Sequence, residues 1–190
     1  MNNLSSKNNR CGLVVWFTGL SGSGKTTISN LVKEFLEKDG LRVLILDGDD
    51  IRNRLHKNLG FSKSDIIENN YLISQICIGE RLKHDVIMVP IISPFRASRA
   101  AACKLLSPGF IEVYVSTKIS VLESRDTKGL YAAAKNKKIN NLIGYCTGTP
   151  YEPPLKADII LETNYKTTDE SSWSLYGAIK KYLLMYESAK

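Results

Sequence analysis

The sequence of 190 residues has a mass of 21.2 kDa and a formal net charge of +7, from 26 basic and 19 acidic side chains. Hydrophobic residues at 43% and charged residues at 24% are values of a globular protein, which argues against a disordered or fibrous chain. No apolar run approaches the roughly 20 residues of a membrane-spanning helix, and the polar N-terminal segment lacks the apolar stretch of a secretory signal. We expect residues 1–12 to form a flexible arm and residues 13–190 to form one domain.

Five apolar runs rich in β-branched residues alternate with segments of helical spacing. The runs are 13–17, 43–46, 86–92, 110–115 and 158–161. They are continuous rather than alternating, which is typical of strands covered on both faces. Helical spacing recurs over about 28–35 and in a last helix over about 173–186. The alternation predicts an α/β fold with a five-stranded parallel sheet and helices on both faces.

The segment 127–154 departs from this alternation. It is rich in lysine and turn residues, contains two short helical pieces at most, and ends near the sequence TGTPYEPP. A long insertion of this kind between two strands is either a plain surface loop or a mobile lid over a binding site. A phosphate-binding motif elsewhere in the chain favours the lid.

Residues 19–26 read GLSGSGKT and match the phosphate-binding pattern G-x-x-x-x-G-K-[ST] in full, between a predicted strand and a predicted helix. Glycines let successive N–H groups point at phosphate oxygens, and the N-terminus of the following helix favours the same anion. Lys25 is expected to reach the β- and γ-phosphates, and the Thr26 hydroxyl to bind Mg²⁺. The predicted phosphate-binding residues are Gly19, Leu20, Ser21, Gly22, Ser23, Gly24, Lys25, Thr26 and Thr27. The motif predicts binding of a nucleoside triphosphate, and the lack of an N-K-x-D sequence argues against a GTPase switch.

An acidic cluster, DGDD, follows the second predicted strand. Because ligands of a parallel sheet bind at the carboxyl ends of its strands, we expect these carboxylates to face the phosphate-binding loop. Phosphoryl transfer needs a metal anchor and an acceptor for the proton of the attacking hydroxyl. We therefore assign Asp47 and Thr26 to the metal and Asp49 to the base, with Lys25 as the third catalytic residue. The alternative is that Asp49 or Asp50 only caps the next helix.

The motifs, taken in order, resemble those of the adenylylsulfate kinase family. Besides GLSGSGKT, the chain contains DGDDIR at 47–52, LGFS at 59–62, EN at 68–69, ISPFR at 92–96, RDTKGLY at 125–131 and PYEPP at 150–154. The resemblance extends over about 14–161, nearly the whole chain. It implies a P-loop nucleotide-kinase fold and the ATP- and Mg²⁺-dependent phosphorylation of the ribose 3′-hydroxyl of adenylyl sulfate, a step of sulfate assimilation.

The same resemblance implies an acceptor site. Its members here would be Arg52, Phe61, Asn69 and Lys128, with Ile92, Ser93, Pro94, Phe95 and Arg96 lining the same pocket. An aromatic ring can stack on a base, and an arginine or lysine can pair with an anionic phosphosulfate. The second stacking phenylalanine of the family corresponds to Leu142 here, unless Tyr145 substitutes for it.

The acceptor side also departs from the family pattern, whereas the ATP side matches it. Three family arginine positions hold Ile66, Tyr71 and Leu72, and replacing arginine by isoleucine removes a fork of donors and a fixed charge. Asn70, Tyr71 and Lys63 could rebuild the lost contacts, which the family resemblance favours. The alternatives are a different nucleotide conjugate, such as the cytidine diphosphoramidate of capsule modification, and a catalytically silent nucleotide-binding module.

Charge and cysteines bear on the partners. Basic residues are spread along the chain and the densest run, 135–138, contains no aromatic residue, so phosphate binding explains the charge better than nucleic-acid binding does. Cys11, Cys77, Cys103 and Cys146 form no C-x-x-C pair, which favours a reducing cytosol. We therefore expect a cytoplasmic protein with a small-molecule nucleotide acceptor and no membrane partner. Members of the family often dimerise, so a homodimer is a further expectation.

Overall fold

The computed structural model describes residues 11–54 and 59–188, so the predicted arm over 1–12 lies almost entirely outside the described residues. Strands and helices alternate along the described chain. Their bounds are β1 Leu13–Thr18, α1 Lys25–Lys38, β2 Val43–Ile45, α2 Gly48–Arg54, α3 Lys63–Glu80, β3 Val86–Val89, α4 Arg96–Leu106, β4 Phe110–Ser116, α5 Ile119–Arg125, α6 Leu130–Lys135, β5 Ile159–Glu162 and α7 Thr168–Ser188.

The five strands form one parallel sheet in the order β2-β3-β1-β4-β5. Strand β1 lies at its centre, with Val15 opposite Met88 of β3 and Ile111 of β4. All six residues of β1 are buried, as its continuous apolar sequence predicts. The predicted α/β fold with a five-stranded parallel sheet is confirmed.

Helices cover both faces of the sheet, and the two-residue period of β1 divides its side chains between them. Val15 belongs to a core cluster with Val32 of α1 and Ile179 of α7. Trp16 belongs to a second cluster, on the other face, with Ile73 of α3. The central strand is therefore held between two apolar layers, which fixes the loop that follows it.

The prediction of burial on both faces is wrong for the last two strands. Residues of β4 alternate between buried and half-buried, and Ile160 of β5 is 58% exposed. The apolar cluster that contains residues of α3 and α4 includes Phe110, at the start of β4. One face of the sheet is thus less covered towards the β5 edge, which a run of apolar residues does not reveal.

Two element boundaries differ from the predictions for reasons visible in the backbone. Strand β3 ends at Val89 rather than at 92, because the next residue, Pro90, has no N–H to donate to a neighbouring strand. Helix α7 begins at Thr168, well before the predicted 173. Thr167 and Glu170 form a capping box there: the Glu170 N–H donates to Thr167 Oγ1 (3.2 Å) and the Thr167 N–H to Glu170 Oε2 (2.8 Å).

The predicted lid segment contains one helix, α6, followed by turns up to β5. Asp126 accepts hydrogen bonds from the N–H groups of Tyr131 (3.0 Å) and Ala132 (2.9 Å) in the first turn of α6. Tyr131 and Leu142 are buried together with Leu122 of α5. The segment is thus packed on the domain, and its mobility stays a prediction. Among the helices in the described ranges, none is long and apolar enough to cross a membrane.

Candidate active site

A cavity of about 730 Å³ lies at the carboxyl ends of the strands. Its walls are the loops after β1, β2, β3 and β5, the first part of α3, and the lid segment. Parallel strands bring these loops to one edge of the sheet, as expected for an α/β ligand site. The predicted phosphate-binding residues that line the cavity are Ser21, Gly22, Ser23, Gly24, Lys25, Thr26 and Thr27, whereas Gly19 and Leu20 do not line it.

Two glycines of the phosphate-binding loop are dictated by its shape. Gly24 has φ +99° immediately before α1 begins at Lys25, a conformation that side chains other than glycine rarely adopt. A Cβ on Gly19 would lie 2.6 Å from the Val115 carbonyl oxygen of β4. The loop therefore passes close to the sheet and turns directly into the N-terminus of α1.

Lys25 is buried inside the loop. Its Nζ donates to the carbonyl oxygens of Gly19 (2.9 Å) and Leu20 (2.7 Å) and to Ser23 Oγ (3.3 Å). The pKa of Lys25 is lowered to about 7, mainly by burial and secondly by the charge of Lys128, while the carboxylates of Asp47 and Asp49 partly offset this lowering. The amine is therefore easily discharged without a ligand and offers a strong site for an anion that restores its charge.

Thr26 and Asp47 lie together at the base of the cavity. Thr26 Oγ1 donates to Asp47 Oδ2 (2.9 Å), and Asp47 Oδ1 accepts from the Asp49 N–H (2.9 Å). Asp47 therefore bonds to a backbone N–H at the start of α2, the capping role that the alternative prediction assigns to Asp49 or Asp50. One hydroxyl and one carboxylate suit Mg²⁺, which commonly takes its other ligands from phosphates and water. In the described residues, no cluster of three or more histidine, cysteine or acidic side chains forms a separate metal cage.

Asp49, in the first turn of α2, pairs with the lid. Lys128 Nζ lies 3.0 Å from Asp49 Oδ2, and both side chains are largely exposed. The carboxylate predicted as the base and the lysine predicted to bind the acceptor thus contact each other directly. An exposed pair of this kind contributes about 1 kcal/mol or less, so a bound substrate can separate it at little cost.

Arg52 and Phe61 form one unit of the acceptor side. The Arg52 guanidinium donates to the carbonyl oxygens of Leu59 (3.0 Å) and Gly60 (2.6 Å) and lies 4.7 Å from the centre of the Phe61 ring. Phe61 lines the cavity and is 55% exposed. An exposed aromatic ring at the mouth of a cavity is available for stacking on a planar ligand.

The opposite wall of the cavity is partly apolar. Ile66 and Asn69 of α3 line it together with Ile143 of the lid segment. Phe95 lies behind this wall, buried against Ile66 and Ile143, and does not line the cavity. The predicted residues Ile92, Ser93 and Pro94 complete the wall.

The side chains expected to replace the missing arginines are used elsewhere in this structure. The Asn70 amide lines the cavity but donates inward, to Ser93 Oγ (2.8 Å) and Ser98 Oγ (3.0 Å). Tyr71 is exposed and Lys63 lies over the outer side of the Phe95 ring, and neither lines the cavity.

Of three further side chains predicted for the acceptor site, only one lines the cavity. Arg96 does not line the cavity, because its Nε donates to the Pro153 carbonyl oxygen (2.7 Å). Leu142 lines the cavity and is buried at the position of the second stacking ring. Tyr145 does not line it, since its hydroxyl donates to Glu123 Oε1 (2.6 Å) and its ring packs edge-on against Tyr131.

One end of the cavity is formed by residues that the sequence did not predict as members of the site. They are Arg125, Thr163, Lys166, Thr167 and Thr168. Thr163 directly follows β5, so the rule that ligands bind at carboxyl ends of parallel strands could have found this loop. A further contact that the sequence did not predict joins the lid to the phosphate-binding loop: the Tyr131 hydroxyl donates to the Ser21 carbonyl oxygen (2.8 Å).

Comparison with known proteins gives a consistent result. Residues 11–162 match the family model described as adenylylsulphate kinase. The chain is 42% identical to an adenylyl-sulfate kinase of Halothermothrix orenii over 168 residues, which are 86% of this chain and 87% of that protein. It is 39% identical to a probable adenylyl-sulfate kinase of Bacillus subtilis over 92% of this chain and 87% of that protein.

Solved structures agree with the sequence relatives. An APS kinase of Mycobacterium tuberculosis in complex with AMPPNP and APS superposes with a TM-score of 0.84 at 35% identity, covering 90% of this chain and 99% of that chain. A hexameric APS kinase from Thiobacillus denitrificans superposes with a TM-score of 0.63 at 25% identity, covering 92% of this chain and 30% of that one.

A Lys25→Met variant tests the buried amine in the ligand-free protein. The pKa of Lys25 is about 7 in the folded protein and 10.5 for an ordinary lysine. Between pH 7 and pH 10.5 this lysine is protonated in the unfolded chain and mostly neutral in the folded protein. The free energy of unfolding therefore rises as the pH rises through this range. The free energy of unfolding of the wild type, relative to the variant, should rise by about 2 kcal/mol from pH 7 to pH 9.

Urea denaturation at both pH values measures this difference. Lys135→Met, which removes an exposed amine of the lid, is the matched control and should show no comparable change. If the Lys25 and Lys135 variants follow the wild type in parallel across this pH range, Lys25 is not a discharged buried amine.

Proposed function

The chain belongs to the adenylylsulfate kinase family, and from that premise we propose that it transfers the γ-phosphoryl group of ATP to the ribose 3′-hydroxyl of adenylyl sulfate. As a member of this family it is a kinase that phosphorylates a hydroxyl acceptor. The observation that carries the proposal is one cavity that residues 21–27 of the phosphate-binding loop line together with Asp49, Arg52 and Phe61.

Lys25 and the loop would hold the triphosphate. In the ligand-free protein Lys25 donates to its own loop carbonyls, and phosphate oxygens are stronger acceptors because they are anionic. We expect Lys25 to exchange the carbonyls for phosphate oxygens and to become protonated there. Thr26 and Asp47 would hold Mg²⁺, which neutralises charge on the phosphates when bound.

Asp49 and Lys128 would act on the acceptor. An anionic phosphosulfate would compete with Asp49 for Lys128, which would leave the Asp49 carboxylate free to accept the 3′-hydroxyl proton or to orient that hydroxyl. Phe61 would stack on the acceptor base, with Arg52 behind it. Lys135 and the rest of the lid would offset negative charge and exclude water, so that ATP is not hydrolysed.

An Asp49→Asn variant tests the assignment of the base. Loss of a general base lowers kcat about 100-fold or more, whereas the affinity for an ATP analogue should stay within about twofold because the Asp49 carboxylate bonds to Lys128 of the lid rather than to the loop. Steady-state kinetics and titration with the analogue measure the two quantities. Asp50→Asn is the matched control, since Asp50 lies in the same helical turn but outside the cavity. Equal losses in both variants would show that the two acids only favour the start of α2.

A second candidate acceptor is favoured by the apolar wall. Ile66, at a position where the family has arginine, is buried against Phe95 and Ile143 and lines the cavity. This wall offers no charge to a phosphosulfate, and Leu142 offers less stacking surface than a phenylalanine. A nucleotide conjugate with a smaller pyrimidine base and a free 3′-hydroxyl, such as cytidine diphosphoramidate, is therefore the alternative acceptor.

A comparison of acceptors decides between the candidates. Purified protein with Mg·ATP should release ADP in the presence of adenylyl sulfate, at a rate well above that without acceptor. A Lys25→Ala variant should release none and controls for contaminating kinases. Turnover with the cytidine conjugate alone would select the second candidate, and no turnover with either would leave a nucleotide-binding module.

A homodimer is the proposed assembly, supported by an apolar stripe on α3. The exposed residues Ile67, Tyr71, Ile78 and Leu82 lie along one side of α3 and its C-terminal end, and neighbouring exposed apolar side chains are typical of an interaction surface. The stripe contains no charge, so two copies of a basic chain can meet there without opposing like charges. Eighteen residues of helix extend over about 27 Å, which suits the roughly 800 Å² per partner of a standard interface.

Light scattering of two variants tests the dimer. Ile78→Glu places a charge in the middle of the stripe and should convert a dimer to a monomer at micromolar concentration. Leu155→Glu, at an exposed leucine outside α3, is the control and should leave the mass unchanged. A monomeric wild type, or a dimer that survives Ile78→Glu, would contradict an interface on α3.

A further inference from the structure

Arg99, in the first part of α4, joins three parts of the molecule. Only 3% of the residue is exposed. Its Nη1 donates to the Ser93 carbonyl oxygen (2.7 Å), its Nη2 to the Glu152 carbonyl oxygen (2.8 Å), and its Nε to Glu112 Oε1 of β4. Burying a guanidinium is costly unless its charge is paired and its donors are satisfied. Each of the three nitrogens has an acceptor here, which indicates a built contact rather than an incidental one.

The first partner, Ser93, needs to be held. It lines the cavity and has φ +42°, a left-handed conformation that is unfavourable for a residue other than glycine. Its hydroxyl accepts from Trp16 Nε1 (3.1 Å) and Asn70 Nδ2 (2.8 Å), and its carbonyl oxygen also accepts from Thr18 Oγ1 (3.1 Å). Arg99 supplies the charged donor of this set.

The second partner, Glu152, belongs to the end of the lid segment. Its N–H donates to the Pro94 carbonyl oxygen (2.9 Å), and its carboxylate accepts from the Arg96 N–H (2.8 Å). The end of the lid segment at Glu152, here called the lid return, therefore lies along the Ser93–Pro94 wall of the cavity. Arg99 binds the carbonyl oxygen of Ser93 in the wall and that of Glu152 in the lid return. The pair with Glu112 anchors the guanidinium to the sheet.

We propose that Arg99 is a positioning residue, which holds the return of the lid against the Ser93–Pro94 wall and thereby sets the affinity for the acceptor. The proposal rests on the proposed function, because it needs an acceptor that binds at this wall. Arg99 itself does not line the cavity, so it acts through Ser93 and Glu152. Its hydrogen bonds go to Ser93, Glu152 and Glu112 rather than to the phosphate-binding loop, so the triphosphate end should not depend on it.

The planar fork of arginine is essential to this role. Three donors in fixed directions can reach a carboxylate and two carbonyl groups at once, whereas a lysine amine is a single point from which three separated acceptors cannot all be reached. Arg99→Lys therefore keeps the charge and most of the volume but releases part of the junction. A charge-assisted hydrogen bond of this kind is worth roughly a tenfold change in an equilibrium constant.

Arg81 provides a matched control at the other end of the sheet. It is also buried, and its guanidinium donates to the carbonyl oxygens of Gly12 (2.9 Å), Leu106 (2.7 Å) and Pro108. Arg81→Lys removes the same kind of fork from a site remote from the cavity. A loss of stability common to both variants can thus be separated from an effect on the acceptor.

The experiment compares wild type, Arg99→Lys and Arg81→Lys in steady-state kinetics and in hydrogen exchange of the Glu152 amide. Arg99→Lys should raise the acceptor KM about tenfold or more, leave the ATP KM within about twofold, and speed exchange at Glu152. Arg81→Lys should change neither KM nor that exchange rate. If Arg99→Lys does not fold, Glu112→Gln, which removes only the charge of the partner, is the second variant. It should also raise the acceptor KM without changing the ATP KM, by a smaller factor.

Two results would overturn the proposal. One is that both lysine variants lower kcat equally and Arg99→Lys changes the KM values for acceptor and ATP by the same factor. The other is that hydrogen exchange of the Glu152 amide is unchanged in Arg99→Lys. The exchange measurement needs no turnover. A wild type that is silent with every acceptor would refute the proposed function, while exchange at Glu152 would still decide whether Arg99 holds the lid return.

Discussion

The site depends on one constraint, which is that all strands of the sheet run in the same direction. The chain must leave every strand at the same edge, so the loops after β1, β2, β3 and β5 meet around one cavity although they are far apart in sequence. The central strand β1 is buried along its whole length and gives the phosphate-binding loop a rigid support. Glycine at position 19, with the β4 backbone 2.6 Å from where a Cβ would be, shows how closely the loop follows the sheet.

Lys25, Asp47, Asp49 and Lys128 of the cavity each bond to a neighbouring group of the protein. Lys25 bonds to the carbonyls of its own loop, Thr26 to Asp47, and Lys128 to Asp49. Each of these contacts joins a group proposed to bind one substrate to a neighbour that a more highly charged ligand can replace. The site thus keeps its polar groups satisfied without a substrate, at the cost of exchanging partners when one binds.

The acceptor side shows how one substitution is matched by its surroundings. Ile66 packs with Phe95 and with Ile143 from the lid segment, so an arginine at position 66 would bring a charge against two apolar side chains. The isoleucine therefore belongs to a local apolar cluster rather than being an isolated loss of a contact. Arg99 donates hydrogen bonds to Ser93 in the same wall and to Glu152 in the lid return, and so links the wall to the lid segment.

The amino-acid sequence by itself determined the features that depend on local pattern. The continuous apolar strands, the glycines around Lys25 and the order of the motifs were sufficient for the parallel sheet, the phosphate-binding loop and the family. It also indicated that Thr26 and Asp47 belong together, because both follow strands that end at one edge. These features could be predicted since each depends on neighbouring residues or on the rule for carboxyl ends of strands.

Only the tertiary structure decided which side chains reach the cavity. Phe95 and Arg96 stand in a motif beside Ser93, yet one is buried behind the wall and the other is bonded to Pro153. Asn70 bonds inward, and Arg99 joins nearby Ser93 to Glu152, which lies 53 residues away in sequence. The physical reason is that side-chain direction, burial and long-range hydrogen bonds depend on how helices pack on the sheet, which no short stretch of sequence encodes.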